Sequence, residues 1–217
     1  MTSAATATLS SSAIHQTVDA YYTNRLRTYG AVPLGVDWTC QATQELRFVQ
    51  LLRIVAPAAA LSLNDLGCGY GALYGFAAGR LPATAIDYLG VDLSVAMVGA
   101  ARRRWRGQAA ARFVRGACLP RVADYSVASG IFNVSLQVPR GDWERTVQET
   151  LLEMRRASSI GLAVNFLAPL SPGQAGPAEL YRTEPEPWVR FCEQALGARV
   201  ELRQGYGLRE FSLLVRC

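Results

Sequence analysis

A glycine-rich segment, DLGCGYGA, carries the clearest chemical signal in this 217-residue sequence. It places Gly67, Gly69 and Gly71 at alternate positions, directly after an apolar run that ends at Leu66. Glycine allows another group to come close to the backbone and adopts turns that other residues resist. Between a strand and a helix, such a turn offers backbone N–H groups and the helix N-terminus to a ligand. The segment therefore predicts a ligand cradle built largely from main chain.

A carboxylate follows at a suitable distance. The segment YLGVDLSVAM ends a predicted strand at Asp92, 20 residues after Ala72. A carboxylate at the tip of this strand can accept hydrogen bonds from both hydroxyls of a ribose, each worth roughly 1.5–3 kcal/mol. The glycine turn and the acidic strand end together predict an adenosine-type nucleoside bound at the carboxyl edge of a sheet. An ordinary surface aspartate is the alternative interpretation.

The elements that must position these motifs alternate between strands and helices. Strands are predicted at 61–66, 87–92, 112–115, 125–132 and 159–166, and helices at 72–79, 94–106, 142–156 and 187–196. This alternation predicts an α/β fold with a Rossmann-like, doubly wound, mostly parallel sheet. Two closing strands at 198–204 and 208–216, joined near QGYG, predict a terminal antiparallel strand at the sheet edge.

Two helices precede the sheet, at 14–29 and 41–55, and predict an N-terminal helical cap. The Pro/Gly-rich stretch 168–187 is longer than an ordinary connection and is a candidate lid, with Tyr181 and Trp188 at its end. We therefore divide the chain into a disordered tail at 1–13, the helical cap at 14–57 and a Rossmann-like domain at 58–217.

Composition excludes several kinds of chemistry. The 22 basic residues are all arginine, and the net charge is +5. Without lysine there is no Schiff base, no P-loop and no Tyr–Lys dehydrogenase pair. A single histidine, His15, excludes a histidine-rich metal site, and no nucleophile elbow accompanies it. Five scattered cysteines without Cys-x-x-Cys indicate neither a zinc site nor a disulfide framework and favour a cytoplasmic location. No apolar run approaches the roughly 18 residues of a membrane span.

Two motifs carry a family resemblance. DLGCGYG (65–71) resembles the Asp/Glu-x-Gly-x-Gly-x-Gly signature of class I S-adenosylmethionine-dependent methyltransferases, and DLSVAM (92–97) resembles the Asp-x-Ser-x-x-Met that often follows their second strand. The resemblance covers about residues 60–216 and includes the final hairpin. The stretches YYTNRLRTYG, GVDW and ASGIFNV are similar to a bacterial subgroup for which we know no established substrate.

The resemblance implies S-adenosylmethionine as cofactor and S-adenosylhomocysteine as product. It implies that Gly67 and Gly69 contact the methionine end of the cofactor and that Asp65 helps to hold the amino group, unless Asp65 only caps the turn. Asp92 would bind the ribose hydroxyls. Leu93 and Met97 would lie near the adenine, although Met97 fits core packing equally well.

The sequence departs from the family pattern after the third strand. Many relatives carry Gly-Asp-Ala there, with the acid accepting from the adenine amino group, whereas this chain reads RGACLP and has Ala117 at that position. A backbone carbonyl near Cys118 or Leu119 could substitute for the acid. We also expect cofactor contacts from Cys68, Ala117, Cys118 and Ser129.

The acceptor side shows no fixed motif. Methyl transfer from a sulfonium needs mainly alignment of the reacting groups, and a base only when the acceptor is protonated. In the family, the residues after the fourth strand face the methyl group. Here they read ASGIFNVSL, which lacks the Asn/Asp-Pro-Pro-aromatic motif used for planar amino groups. Phe132 and Asn165 are substrate candidates, and Asn133 is a catalytic candidate.

The cap offers further candidates. Tyr21 and Tyr22 point in different directions, so one can pack while the other reaches the site, and Tyr22 is the catalytic candidate. His15 is a candidate general base, with a surface histidine as the alternative. The remaining substrate candidates are Tyr21, Arg25, Trp38 and Arg47; a solvated helix face is the alternative for the two arginines.

These observations predict an S-adenosylmethionine-dependent methyltransferase that modifies an oxygen or nitrogen of a small molecule, in specialised metabolite biosynthesis. An RNA or protein methyltransferase, suggested by the pI of about 9.1, is one alternative. A cofactor-binding protein without transferase activity and a nicotinamide dehydrogenase are the others. We expect no metal and no membrane partner, and the basic run at 102–106 favours a solvated helix end over nucleic-acid binding.

Overall fold

Strands alternate with helices along the described part of the chain, residues 8–217 of the computed structural model. The strands are β1 Ala60–Leu66, β2 Ala85–Asp92, β3 Ala111–Arg115, β4 Ala123–Ala128, β5 Ser158–Leu167, β6 Arg199–Gln204 and β7 Glu210–Arg216. The helices are α1 Ser11–Tyr29, α2 Gln41–Leu51, α3 Ala72–Arg80, α4 Val95–Arg104, α5 Arg140–Arg156 and α6 Pro185–Ala195. One sheet in the order β3-β2-β1-β4-β5-β7-β6 contains every strand, and β1 to β5 pair in parallel, so the predicted Rossmann-like fold is confirmed.

Two apolar layers, one on each face of the sheet, hold the helices. α2, α3 and α4 place Phe48, Leu73 and Val98 in one layer, while α5 and α6 place Met154 and Trp188 in the other. The inner strands β5 and β7 are buried on both faces over most of their length, which explains their nearly continuous apolar sequences. Within residues 8–217, no helix is long and apolar enough to cross a membrane.

The antiparallel strand lies one position inside the sheet edge. β7 pairs in antiparallel fashion with both β5 and β6, and β6 forms the edge itself. A short hairpin forces β6 and β7 to run in opposite directions. The apolar sequence EFSLLVR is buried and takes the inner position, whereas RVELRQ is exposed or only partly buried.

The predicted cap divides into two parts. α1, together with a 3-10 turn at Pro33–Val36, lies over the carboxyl ends of the strands, whereas α2 packs on the sheet beside α3. α1 begins at Ser11, with the Ser10 hydroxyl accepting from the Ala13 N–H at 3.3 Å, so the predicted tail was too long at its C-terminal end. Leu9 N–H also donates to Asp142 at 3.0 Å. The first seven residues of that tail lie outside the described residues.

Two loop predictions need correction. The strand predicted at 125–132 ends at Ala128, because Gly130 adopts a φ of +78° and leaves the strand. The aromatic residues at the end of the candidate lid are buried instead of mobile: Tyr181 is 5% exposed, and the Trp188 ring stacks on Phe166 at 5.2 Å. The stretch they close is therefore anchored to the core at this end.

Two glycines in α3 test how closely this helix packs against Trp105. Gly75→Ala is expected to destabilise the protein by about 1–3 kcal/mol, because the added Cβ would lie 2.5 Å from the Trp105 ring. Gly79→Ala is the matched control: nothing lies within 4 Å of the added carbon, and alanine favours a helix by up to about 1 kcal/mol. Urea unfolding followed by circular dichroism compares the two. Equal midpoints for both variants would contradict this packing.

Candidate functional site

A cavity lies at the carboxyl ends of β1, β2 and β4 and is roofed by α1. We call it the edge cavity. Its walls also include α5, the 3-10 turn and the segments that follow β3 and β4. It brings together most of the residues singled out in the sequence: His15, Tyr22, Trp38, Asp65, Gly67, Cys68, Gly69, Asp92, Leu93, Met97, Ala117, Ser129 and Phe132.

The glycine turn forms the floor of the edge cavity. Gly67, Gly69 and Gly71 have φ values of +74°, +54° and +79°, which only glycine adopts readily. Side chains also occupy the space that a Cβ would need: Ile131 lies against Gly67, and Val36 would be 3.0 Å from a Cβ at position 69. The glycines are therefore required by backbone conformation and by protein packing, as well as by any ligand.

Asp92 joins the end of β2 to this turn. Its Oδ2 accepts from the Gly69 N–H at 2.8 Å, and its Oδ1 accepts from the Ser94 N–H at 2.9 Å. Burial raises the pKa of Asp92 to about 6, although these two hydrogen bonds favour the ionised form. Each carboxylate oxygen keeps a further acceptor site, so Asp92 can still receive two hydroxyl groups from a ligand.

Asp65 sits beneath the turn and is almost fully buried. The Tyr88 hydroxyl donates to its carboxylate. Burial raises the pKa of Asp65 to about 7, and the nearby charge of Asp92 adds to the shift. A ligand cation placed beside Asp65 would favour its ionised form, because an opposite charge lowers a carboxyl pKa.

A buried polar network holds the segment after β4. Gly130 N–H donates to the Asn165 Oδ1 at 2.7 Å, and the Asn165 Nδ2 donates to Glu210 at 2.9 Å. Arg47 pairs with the same Glu210 carboxylate, its Nε lying 2.9 Å from both oxygens. The Arg47 guanidinium also lies 3.9 Å from the centroid of the Trp38 ring, which packs on Gly130.

Arg47 and Asn165 are therefore kept from the substrate contact expected of them. Both lie outside the edge cavity, since their polar groups are bound to Glu210 and Gly130. Sequence reasoning missed Glu210 altogether. Its signal is a single acid at the start of an otherwise apolar strand, because a buried charge in such a place requires a partner.

Four other candidates also lie outside the edge cavity. Arg25 pairs with Asp37 at 2.6 Å and donates to the Leu34 carbonyl, so it fastens the 3-10 turn to α1. Tyr21 lies beside Asp37, and burial raises its pKa to about 12. Cys118 is exposed. Asn133 is buried, with neither side-chain polar atom hydrogen-bonded to protein.

One face of α1 lines the edge cavity with Ile14, His15, Val18, Asp19 and Tyr22, as helical spacing allows. Sequence reasoning missed Asp19, although it lies four residues after His15 and three before Tyr22. Burial raises the pKa of Tyr22, which therefore stays protonated near neutral pH.

His15 lies at the β3 end of the edge cavity. Burial lowers its pKa, and the charges of Glu149 and Glu153 on α5 oppose that effect. Glu153 accepts from the Leu119 N–H at 3.2 Å, which ties this region to the segment after β3. His15 is thus expected to be largely neutral at pH 7.

Charge is distributed unevenly around the site. The charged side chains that line the edge cavity are Asp19, Asp65 and Asp92. None of the arginines lines it, and all of them lie within the described residues. In the same part of the chain, no group of three or more His, Cys, Asp or Glu side chains could hold a metal ion. The edge cavity is therefore suited to a cationic or neutral ligand.

Sequence comparison identifies one informative relative. No family model matches the chain. The relative is Rv1506c of Mycobacterium tuberculosis (strain H37Rv), which is assigned by name to the methyltransferases. It is 42% identical to this chain over 165 residues, which are 76% of this chain and 98% of that protein.

Solved structures support the same fold. Magnesium protoporphyrin IX methyltransferase from Synechocystis PCC 6803, with bound S-adenosylhomocysteine, is 14% identical with a TM-score of 0.62; the match covers 95% of this chain and 99% of that one. Human N-acetylserotonin methyltransferase, in complex with S-adenosylmethionine, is 16% identical with a TM-score of 0.56; the match covers 94% of this chain and 67% of that one.

The buried ion pair makes a strong prediction about stability. Arg47→Met leaves the Glu210 carboxylate buried without its partner and is expected to destabilise the protein by about 3–5 kcal/mol. The double variant Arg47→Met/Glu210→Met should recover part of the loss, because no buried charge remains. Arg190→Met is the control: its pair with Glu186 is exposed, and its loss should cost less than about 1 kcal/mol. Similar urea midpoints for Arg47→Met and Arg190→Met would contradict the buried pair.

Proposed function

The chain belongs to the class I S-adenosylmethionine-dependent methyltransferases, and we propose that it methylates an oxygen or nitrogen of an uncharged, largely apolar small molecule. The observation that carries the proposal is the lining of the edge cavity. Apolar and aromatic side chains dominate it, its only charges are acidic, and the chain's many arginines are all directed elsewhere. Phosphate or carboxylate groups are usually held by arginine, so an anionic acceptor fits this cavity poorly.

The residues of the edge cavity fit the cofactor. Asp92, with acceptor sites left on both oxygens, would hold the ribose hydroxyls, and Asp65 would face the ammonium group. Gly67 and Gly69 bring backbone near the methionine portion. Leu93 and Met97 would border the adenine. When bound, S-adenosylmethionine supplies an electrophilic methyl group on a positively charged sulfur, which the acidic lining favours.

The acceptor would lie between the 3-10 turn and the segment after β4. Trp38 and Phe132 offer aromatic surface there, and Ser129 has a buried hydroxyl oxygen without a protein partner. Tyr22 keeps its proton and can donate a hydrogen bond to an acceptor oxygen or nitrogen. In this proposal the chain aligns the acceptor and excludes water, and His15 borders the nucleoside instead of serving as the base.

The structural neighbours agree with a small acceptor. Magnesium protoporphyrin IX methyltransferase and N-acetylserotonin methyltransferase are both named for small-molecule substrates and share this fold. The chain's net charge of +5 favours an RNA substrate instead, so the acceptor assay also measures methylation of RNA. A role in specialised metabolite biosynthesis would follow from such an acceptor and is part of the proposal.

Cofactor binding and its pH dependence test the first half of the proposal. By calorimetry, S-adenosylhomocysteine is expected to bind and NAD is not. The dissociation constant of S-adenosylhomocysteine should rise as the pH falls from about 7 to below 6, because protonation of Asp65 removes the charge that faces the ammonium group and protonation of Asp92 removes hydrogen-bond acceptors for the ribose. Asp92→Asn should weaken binding at pH 7.5 by about 10-fold or more and leave only the part of the pH dependence that Asp65 causes. Asparagine is chosen because it keeps an acceptor oxygen for one of the Gly69 and Ser94 N–H groups, whereas alanine would leave both without an acceptor. Binding of NAD alone would overturn the proposal.

Two adjacent tyrosines test the acceptor side. The protein is assayed for release of S-adenosylhomocysteine with a panel of phenols and aromatic amines. With any acceptor found, Tyr22→Phe is expected to lower turnover about 5- to 100-fold through loss of one hydrogen bond, while cofactor affinity changes little. Tyr21→Phe, outside the edge cavity, is the matched control and should retain turnover. Methylation of total RNA or of protein, with no turnover on the panel, would contradict the proposed acceptor class.

A further inference from the structure

Asp19 is the one charged side chain that α1 contributes to the edge cavity. It lies in the roof, near the ends of β2 and β3. Its Oδ1 accepts from the Thr23 hydroxyl at 3.0 Å, and the same hydroxyl lies 2.6 Å from the Ser94 hydroxyl next to the end of β2. Its Oδ2 lies 3.7 Å from Arg115, the last residue of β3, which is too far for a hydrogen bond. That oxygen is therefore available to a ligand.

The residues that follow β2 and β3, next to the Arg115 that Asp19 approaches, give the edge cavity an apolar wall. Leu93, Met97, Gly116 and Ala117 line it, and none of them carries a polar side chain. A flat apolar base such as adenine fits between such groups, but its exocyclic amino group requires an acceptor, because an unpaired buried donor is costly.

The other acidic side chains of the edge cavity and the hydroxyls on α5 are already engaged, and the unpartnered Ser129 hydroxyl lies on the opposite side of β1, after β4. Asp92 accepts from two backbone N–H groups and faces the ribose in the proposed arrangement. Asp65 accepts from Tyr88 beneath the glycine turn. The hydroxyls of Thr146 and Thr150 on α5 donate to carbonyls of their own helix, at 3.0 and 2.8 Å. Asp19 is left as the charged acceptor on the β3 side.

Asp19 and Asp92 are also electrostatically coupled. The charge of Asp19 contributes to the raised pKa of Asp92, and the Thr23 hydroxyl joins Asp19 to Ser94, whose N–H donates to Asp92. A nucleoside between them would meet one carboxylate at its ribose and the other at its base. Like charges held near each other without a ligand are unfavourable, so a donor-rich ligand relieves part of that cost.

We propose that Asp19, on the helix that roofs the cavity, accepts a hydrogen bond from the amino group of the cofactor's adenine. This assignment rests on the proposed function, in that S-adenosylmethionine is the ligand. It gives α1 a direct part in cofactor recognition: the base is recognised by a residue far in sequence from the strand ends that hold the ribose.

The test compares two ligands and three variants by calorimetry. The ligands are S-adenosylhomocysteine and its purine analogue, in which hydrogen replaces the adenine amino group. The wild-type protein is expected to bind S-adenosylhomocysteine about 10- to 100-fold more tightly than the analogue. Asp19→Ala should reduce that ratio to about 1–3, and Asp19→Asn, which keeps a neutral acceptor, should give an intermediate value.

Arg115→Ala is the matched control. It removes the Asp19–Arg115 contact from the opposite side, together with the hydrogen bond from the Arg115 Nε to the Leu93 carbonyl, and changes no side chain that lines the edge cavity, so the ligand ratio should stay as in the wild type. Thermal unfolding and circular dichroism establish that each variant is folded, and the isosteric Asp19→Asn protects the test if alanine disturbs α1.

The outcomes separate the two proposals. A ratio that remains at the wild-type value in Asp19→Ala overturns the assignment of Asp19, even if both affinities fall, because the loss would then be unrelated to the amino group. A fall of the ratio in Arg115→Ala as large as that in Asp19→Ala also overturns it, since the effect would come from the position of α1. Failure of the wild-type protein to bind S-adenosylhomocysteine would overturn the proposed function itself.

Discussion

The hydrogen bond from the Gly69 N–H to the Asp92 carboxylate joins the two strand ends on which the site depends. It links the turn after β1 to the end of β2, and the Gly67 and Cys68 N–H groups reinforce it by donating to the Val91 carbonyl. The glycines can make these bonds because they adopt positive φ values that other residues resist. The turn proposed to hold the cofactor is therefore fixed by the protein's own backbone, with little ordering left for a ligand to impose.

A second constraint acts from the opposite side of the site. The Arg47–Glu210 pair is buried, and Asn165 extends it to the backbone of Gly130. Such a pair contributes little net stability compared with apolar packing, but removal of one partner is costly. Here it connects α2, β5, β7 and the segment after β4, and it supports Trp38 through its guanidinium. An ion pair of this kind positions the aromatic wall of the cavity without touching the ligand.

Charge is segregated between the exterior and the cavity. The net charge of +5 comes from arginines that are exposed, paired with acids or bound to backbone carbonyls, whereas the cavity displays only carboxylates. Arg115 illustrates this arrangement: its guanidinium is largely exposed and its Nε donates to the Leu93 carbonyl, just outside the cavity. The overall charge of the chain therefore says little about its acceptor. The local field, which acts on the bound cofactor, has the opposite sign.

The alternating fold, the glycine turn and the carboxylate at the end of β2 could all be predicted from local patterns, because each depends on contacts between residues close in the chain or on a repeated period. The element bounds were predicted to within about three residues, apart from β4, which Gly130 ends early, and α2, which ends at Leu51 and is followed by a 3-10 turn at Leu52–Ile54. The tertiary structure alone decided which polar residues meet. Arg47 and Glu210 are 163 positions apart, and their pairing follows from the placement of β7 inside the edge of the sheet. In the same way, only the path of α1 across the strand ends brought Asp19 into the lining of the edge cavity. Neither arrangement is encoded locally: an acid at the start of an apolar strand indicates that Glu210 needs a partner, but not which distant residue supplies it.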